Sequence, residues 1–248
     1  MSKTILITGA SRGIGRATAI LAGQRGYCIG VNYNHDDSAA TATVEAIESA
    51  GGRAVAIKGD VTVESDVIRL FDATEQAFGS LDGFVNNAGV VAPASVLADM
   101  EVARMEHLFR VNILGAFICA REAARRMSTA RGGKGGAIVN VSSIAPRLGS
   151  PFEYIDYAAS KGAIDVMTNG LAKELAKEGV RVNAVRPGLI ETDIHASGGQ
   201  PDRAQRLSSQ VPMGRPGTPE EIAETIIWLL SEQSSYVTGA LLDVGGGR

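Results

Sequence analysis

Thr8-Gly9-Ala10-Ser11-Arg12-Gly13-Ile14-Gly15 decides how this chain folds. The segment follows a short apolar run, Thr4 to Thr8, that reads as a strand. It opens an Ala-rich stretch, Gly13 to Arg25, that reads as a helix. Glycines spaced G-x-x-x-G-x-G let the backbone turn tightly between the two. They also let an anion approach the free amides of the helix N-terminus, where the helix dipole favours negative charge. The spacing differs from the common G-x-G-x-x-G, but the strand–turn–helix setting is the same. Glycine-rich turns also arise for packing alone, so at this point both readings stand.

Outward from that turn, short apolar runs alternate with longer amphipathic ones. Strands are expected at Tyr27 to Tyr33, Arg53 to Lys58, Leu81 to Asn86, Gly136 to Ser142, Arg181 to Val185 and Leu241 to Val244. Helices are expected from about Ser38 to Ala50, Ser65 to Phe78, Met105 to Met127, Tyr157 to Glu178 and Glu220 to Leu230. Strands separated by helical patterns make right-handed βαβ units. The fold class is therefore α/β, a three-layer, doubly wound parallel sheet of Rossmann type. The connector Gly132-Gly133-Lys134-Gly135-Gly136 is too short to separate domains, so residues 1–248 are expected to form one.

Composition narrows the function classes. Of the 248 residues 45% are hydrophobic, enough for a large core, and a net charge of −3 gives no reason to expect nucleic acid. Ile226 to Leu230 is far too short to cross a bilayer, and the N-terminal residues run almost directly into Ile5-Leu6-Ile7. A cytoplasmic protein with no membrane partner is expected. Cys28 and Cys119 stand far apart and read as buried free thiols, while His35, His107 and His195 lack ligand spacing, so no metal is expected.

Tyr157-Ala158-Ala159-Ser160-Lys161 carries the chemistry. On a helix, residues four apart share a face. A phenol with an ordinary pKa of about 10 is a poor proton donor and acceptor near neutrality. A cation beside it favours the phenolate and suits it to exchange a proton with an alcohol or carbonyl. Tyr154 is a decoy, because four residues on it meets Ala158.

These motifs, with Asn86-Asn87-Ala88-Gly89, Asn112, Ser143 and Pro187-Gly188 in order, resemble the short-chain dehydrogenase/reductase family over essentially the whole chain. Within it the sequence is similar to the bacterial sugar-dehydrogenase and 3-oxoacyl-reductase branch. The resemblance implies hydride transfer between a nicotinamide cofactor and a carbonyl or alcohol. It implies Tyr157 as acid–base group, Lys161 as the residue that lowers its pKa, Ser143 as holder of the substrate oxygen and Asn112 as orienter of a water behind Lys161. Gly9, Ser11, Arg12, Gly13, Ile14, Gly15, Asn34, Asp60, Val61, Asn87, Gly89, Pro187, Gly188, Ile190 and Thr192 fall where the family contacts its cofactor. One departure is visible. The step from Ser143 to Tyr157 is one residue longer than is usual, which places an extra residue between Pro146 and Asp156.

The second strand ends at Tyr33-Asn34-His35, and no acid appears until Asp36. A carboxylate at that end would bind ribose hydroxyls and repel a 2′-phosphate. Its absence, with Arg12 in the turn, favours NADP(H) over NAD(H), although Asn34 is not the base that a phosphate would prefer. Residues from about 189 to 217 read as a substrate lid. Glu153, Tyr154, His195 and Pro146-Arg147-Leu148 are further candidates for the pocket wall. Arg125, Arg126, Arg131 and Lys134 would suit an acidic carrier protein, but Glu178 stands where several carrier-protein reductases have a base. A free small substrate is favoured, a sugar, polyol or small ketone, with 3-oxoacyl substrates as the alternative. A non-catalytic dinucleotide sensor or scaffold is the reading from another class. Apolar residues on more than one helix face (Ile118, Ala120, Ala124; Ile164, Met167, Leu171) point to a homotetramer, as the resemblance implies.

Overall fold

Seven parallel strands in the order β3-β2-β1-β4-β5-β6-β7 carry the fold. The computed structural model describes residues 2–248. In chain order the elements are β1 (Thr4–Ile7), α1 (Gly13–Gln24), β2 (Cys28–Tyr33), α2 (Asp37–Ser49), β3 (Arg53–Lys58), α3 (Glu64–Phe78) and β4 (Gly83–Asn86). Then come α4 (Val102–Phe109), α5 (Ala116–Met127), β5 (Gly136–Val141), α6 (Ala145–Leu148), α7 (Ile155–Leu175) and β6 (Val180–Pro187). The last are α8 (Ile194–Ser197), α9 (Arg203–Arg206), α10 (Pro219–Leu230) and β7 (Leu241–Val244).

Side chains alternate across the sheet and fill two cores. Ile5, Ile7, Ile29 and Val31 pack on one face with Ala19 and Ala22 of α1 and Ile222, Ile226 and Leu229 of α10. Leu6, Phe84, Ile138 and Val182 point to the other face, against Val67, Leu70 and Phe71 of α3 and Cys119 and Ala123 of α5. Both faces are covered, which is why the central strands read as unbroken apolar runs. Removing each such side chain from water contributes about 1.5–3 kcal/mol. Strand order reverses at β1, with β2 on one side and β4 on the other, and a crevice opens beyond the carboxyl ends of the strands at such a point.

The expected long helix from Met105 to Met127 departs from a simple α-helix. A π-helical turn, Arg110–Gly115, joins α4 to α5 and carries Asn112. Such turns insert an extra residue and are frequent at functional sites. The long step from Ser143 to Tyr157 forms the unforeseen α6 and a tight loop in which Ser150 (φ 44°) and Phe152 (φ 66°) are left-handed. Non-glycine residues adopt that conformation at a cost, only where their surroundings enforce it.

The apolar helix residues read as an oligomer face need correcting. Ala120, Ile164 and Met167 are buried inside the chain, where α5 meets α7, with Leu171 packed on them, and Ile118 and Ala124 pack on the core beneath α3 and α5. The apolar side chains left exposed there are Leu114, Phe117 and Val166. Cys28 and Cys119 are buried and unpaired, as expected, and burial pushes the Cys119 thiol up to about 12. Among the described residues no helix is long and apolar enough to cross a membrane.

Candidate active site

The glycine turn is built for close approach. Gly9 (φ +62°) and Gly13 (φ +52°) both use backbone conformations that glycine adopts without strain. Helix α1 has no side-chain cap and no acid in its first turn, so its leading amides are left for an anion. The turn is braced from two sides. The Asn87 amide group donates to the carbonyls of Thr8 (2.8 Å) and Gly9 (3.0 Å). Buried Asn32, a residue that sequence reasoning passed over, accepts from the Gly9 N–H (3.1 Å) and donates to the Gly59 carbonyl (2.9 Å). A lone Asn inside the apolar run Cys28–Tyr33 was the available signal.

Ser143, Tyr157 and Lys161 meet at the carboxyl end of β5. The Lys161 ammonium is buried, donates to the Val141 carbonyl (2.8 Å) and lies 5.7 Å from the centre of the Tyr157 ring. Burial brings its pKa down to about 8, against the pull of the Asp165 carboxylate. The Tyr157 phenol does not show the lowered pKa expected for it. Burial pushes it up to about 12, and the Ser143 hydroxyl beside it pulls the other way. Ser142 is engaged elsewhere, donating to the Lys161 carbonyl (3.1 Å) and to Asp165 (2.7 Å), which leaves Ser143 for the open side. Tyr154 also borders the cleft, as do Leu148, Glu153 and His195, and its hydroxyl accepts from Gln200 (2.9 Å).

Asn112 does not line the cleft. Its side chain accepts from the Val90 N–H (2.8 Å) and donates to the Val90 carbonyl (2.9 Å) and Ser160 (3.1 Å). It nevertheless approaches Lys161. A Cβ on Gly89 would sit 3.3 Å from Asn112 Oδ1 and 3.4 Å from Lys161 Nζ, so only glycine leaves that junction open.

One cleft of about 1520 Å³ joins the two halves. Gly9, Ser11, Arg12, Gly13, Ile14, Asn34, Asp60, Val61, Asn87, Gly89, Pro187, Gly188, Ile190 and Thr192 all border it, as do Ser143, Tyr157 and Lys161. Gly15 does not. Its Cβ would lie 2.4 Å from the Gly9 carbonyl oxygen and 2.5 Å from Asn87 Nδ2, so this glycine is required by the packing of the turn. Asp60 faces the cleft while one of its oxygens accepts from the Thr62 N–H (2.8 Å), a turn role beside any ligand role. Near Asn34 and His35, Asp36 caps α2 through the Ala39 N–H (2.9 Å), and Asp37 is held by Lys58 (3.2 Å) and the Tyr33 hydroxyl (2.7 Å).

The opposite end is bordered by residues 189–195 and Arg203, part of the segment 189–217. Ile190 and Gly217 pair at its base, and Leu189, Ala204, Leu207 and Val211 form a small core of their own. Arg203 of α9 grips Glu153 with two bonds of 2.6 and 2.7 Å and lies over the Tyr154 ring. His195 sits below its ordinary pKa, because it is half-buried, with Nε2 2.8 Å from the Ile190 carbonyl oxygen.

A family model described as enoyl-(acyl carrier protein) reductase matches residues 9–248. The chain belongs to the short-chain dehydrogenase/reductase family. It is 50% identical to an uncharacterized oxidoreductase, YgfF, of Escherichia coli K12, covering 98% of each chain. It is 39% identical to an L-rhamnose 1-dehydrogenase (NAD(P)(+)) of Sphingomonas sp. SKA58, covering 99% of this chain and 95% of the relative. A solved dehydrogenase/reductase from Sinorhizobium meliloti 1021 superposes with a TM-score of 0.91 at 34% identity, over 100% of this chain and 95% of that one. As a short-chain dehydrogenase/reductase the protein is an NAD(P)-dependent oxidoreductase acting on CH–OH and C=O groups. The cleft fits the dinucleotide that such enzymes bind. The uncapped α1 amides suit a pyrophosphate, and Asp60 and Val61 border the same cleft.

Proposed function

We propose that this oxidoreductase interconverts a small uncharged carbonyl compound, of sugar, polyol or simple ketone type, and its alcohol, with NADP(H) preferred. The observation that carries the reading is the convergence of Ser143, Tyr157 and Lys161 on one cleft with the glycine turn. When bound, the nicotinamide supplies or accepts the hydride. In the reducing direction the Tyr157 hydroxyl gives its proton to the carbonyl oxygen, which the Ser143 hydroxyl holds and which gains charge as hydride arrives. Lys161 stabilises the phenolate left behind, and Asn112 orients the water that returns a proton to that side. Closing of residues 189–217 would exclude water during transfer.

Support for NADP(H) lies at the other end of the cleft. Arg12 is exposed and borders it, whereas the nearest acids, Asp36 and Asp37, already hold partners. Support for a free substrate comes from the group read as a carrier-protein surface. Within it Arg126 is bound by Asp72, Glu75 and Glu122, Arg125 lies 3.6 Å from Glu122 and Lys134 is bound by Asp82, which offsets much of its positive charge. Exposed Leu114, Phe117 and Val166 support a homotetramer.

The test follows absorbance at 340 nm with sugars, diketones, aromatic aldehydes and 3-oxo esters, for wild type and Arg12→Ala. The uncharged carbonyls should turn over fastest, with NADPH. Losing a charge-assisted pair should raise the KM for NADPH about tenfold and barely move that for NADH. Equal weakening of both cofactors contradicts the phosphate contact, and preference for the 3-oxo esters contradicts the substrate class. Sedimentation that finds a monomer contradicts the tetramer.

A further inference from the structure

We propose that Asp156 and Arg104 form a positioning pair that fixes Tyr157 and balances the charge around it. This rests on the acid–base role given to Tyr157 above, and it adds two residues that touch neither cofactor nor substrate in that reading.

Asp156 directly precedes Tyr157 in the first turn of α7, and its side chain is only 1% exposed. Arg104, on α4, reaches it as a fork, with Nε 2.8 Å from Oδ2 and Nη2 3.3 Å from Oδ1. The same Oδ1 accepts the Tyr157 backbone N–H at 2.9 Å. Arg104 Nη1 also donates to the Pro93 carbonyl, and the Ser95 N–H donates to the Glu153 carbonyl at 3.0 Å. One ion pair therefore ties the start of the Tyr157 helix to the loop that leads from Gly89. Val90 of that loop is held in turn by Asn112. An acid in a helix's first turn is ordinary when exposed. This one is buried, and a buried ion pair is often no more stabilising than apolar residues packed in its place. Its geometry is better explained by where it holds Tyr157.

Other charges near Tyr157 come from several elements. Lys161 lies one turn along α7, His107 and Arg110 border the cleft from α4 and the π-helical turn, and His195 and the Glu153–Arg203 pair come from the lid side. Within this set Asp156 and Arg104 cancel while both are present. Asp156→Asn leaves the Arg104 cation unbalanced and favours the phenolate. Arg104→Gln leaves the Asp156 anion unbalanced and disfavours it.

The experiment measures kcat/KM against pH for wild type, Asp156→Asn, Arg104→Gln and the double variant, with NADPH affinity followed by fluorescence. The limb that reports Tyr157 should move to lower pH in Asp156→Asn and to higher pH in Arg104→Gln. Each shift should be about half a unit or more, with the double variant returning toward wild type. In each single variant kcat should fall about tenfold with NADPH affinity unchanged, since misplacement away from the chemistry costs turnover. A general loss of folding would not shift the two limbs in opposite directions. Limbs that stay put, or that move the same way in both singles, overturn the proposal. If Asp156→Asn does not fold, Arg104→Gln and Arg104→Lys carry the test, because Lys keeps the cation and should keep the wild-type limb. A Tyr157→Phe control that retains turnover would instead overturn the acid–base reading.

Discussion

Lys161 is pulled two ways. Its ammonium is buried, which brings its pKa from the ordinary 10.5 down to about 8, yet the same burial puts it beside Tyr157. Nothing along the chain signals that depth, since a Tyr and a Lys four apart read equally well as an exposed helix pair. The sign of the pH effect follows from proton binding. Between about pH 8 and 10.5 the folded chain releases the Lys161 proton while the unfolded chain keeps it. The unfolded state then binds more protons, so this residue's contribution to stability rises with pH across that window. Tyr157 acts in the opposite sense only above pH 10, where its unfolded form ionises and its folded form, at about 12, does not. Thermal melts of the cofactor-free protein from pH 7 to 10 should show wild type gaining on Lys161→Met as pH rises. Parallel curves would contradict a buried, depressed ammonium.

Among the elements, the strand–turn–helix unit at β1 and α1 was the most legible, because two local periods and three glycines fix it. What the glycines do was less so. A Cβ on Gly9 would press on Asn87 and Ala88, and one on Gly15 on Asn87 and the Gly9 carbonyl, so both glycines answer to a neighbour that arrives from elsewhere in the chain. Gly15→Ala should therefore destabilise the fold by about 1–3 kcal/mol through overpacking. It should weaken NADPH binding only indirectly, by moving Gly9. Unchanged melting with unchanged binding would contradict the packing role. The π-helical turn at Asn112 and the α6 loop were not legible. Helical periodicity does not register one inserted residue, and the left-handed Ser150 and Phe152 are imposed by the loop's ends rather than by their own preference.

For the whole molecule, the layer order and the cleft's position follow from alternation of apolar strands and amphipathic helices, so they could be read in advance. The charge pattern could not. Pairings such as Arg126 with Asp72 or Arg203 with Glu153 join residues about 50 positions apart, and they cancel charges that look free along the chain. The same long-range assembly brings Ser143, Tyr157 and Lys161 to the glycine turn. The most direct measurement compares NADPH-dependent carbonyl reduction by wild type and Tyr157→Phe, with NADPH affinity measured on both. Loss of the proton donor should lower kcat by about 10²–10⁴-fold while NADPH still binds. Turnover within a few-fold of wild type in Tyr157→Phe would contradict the account.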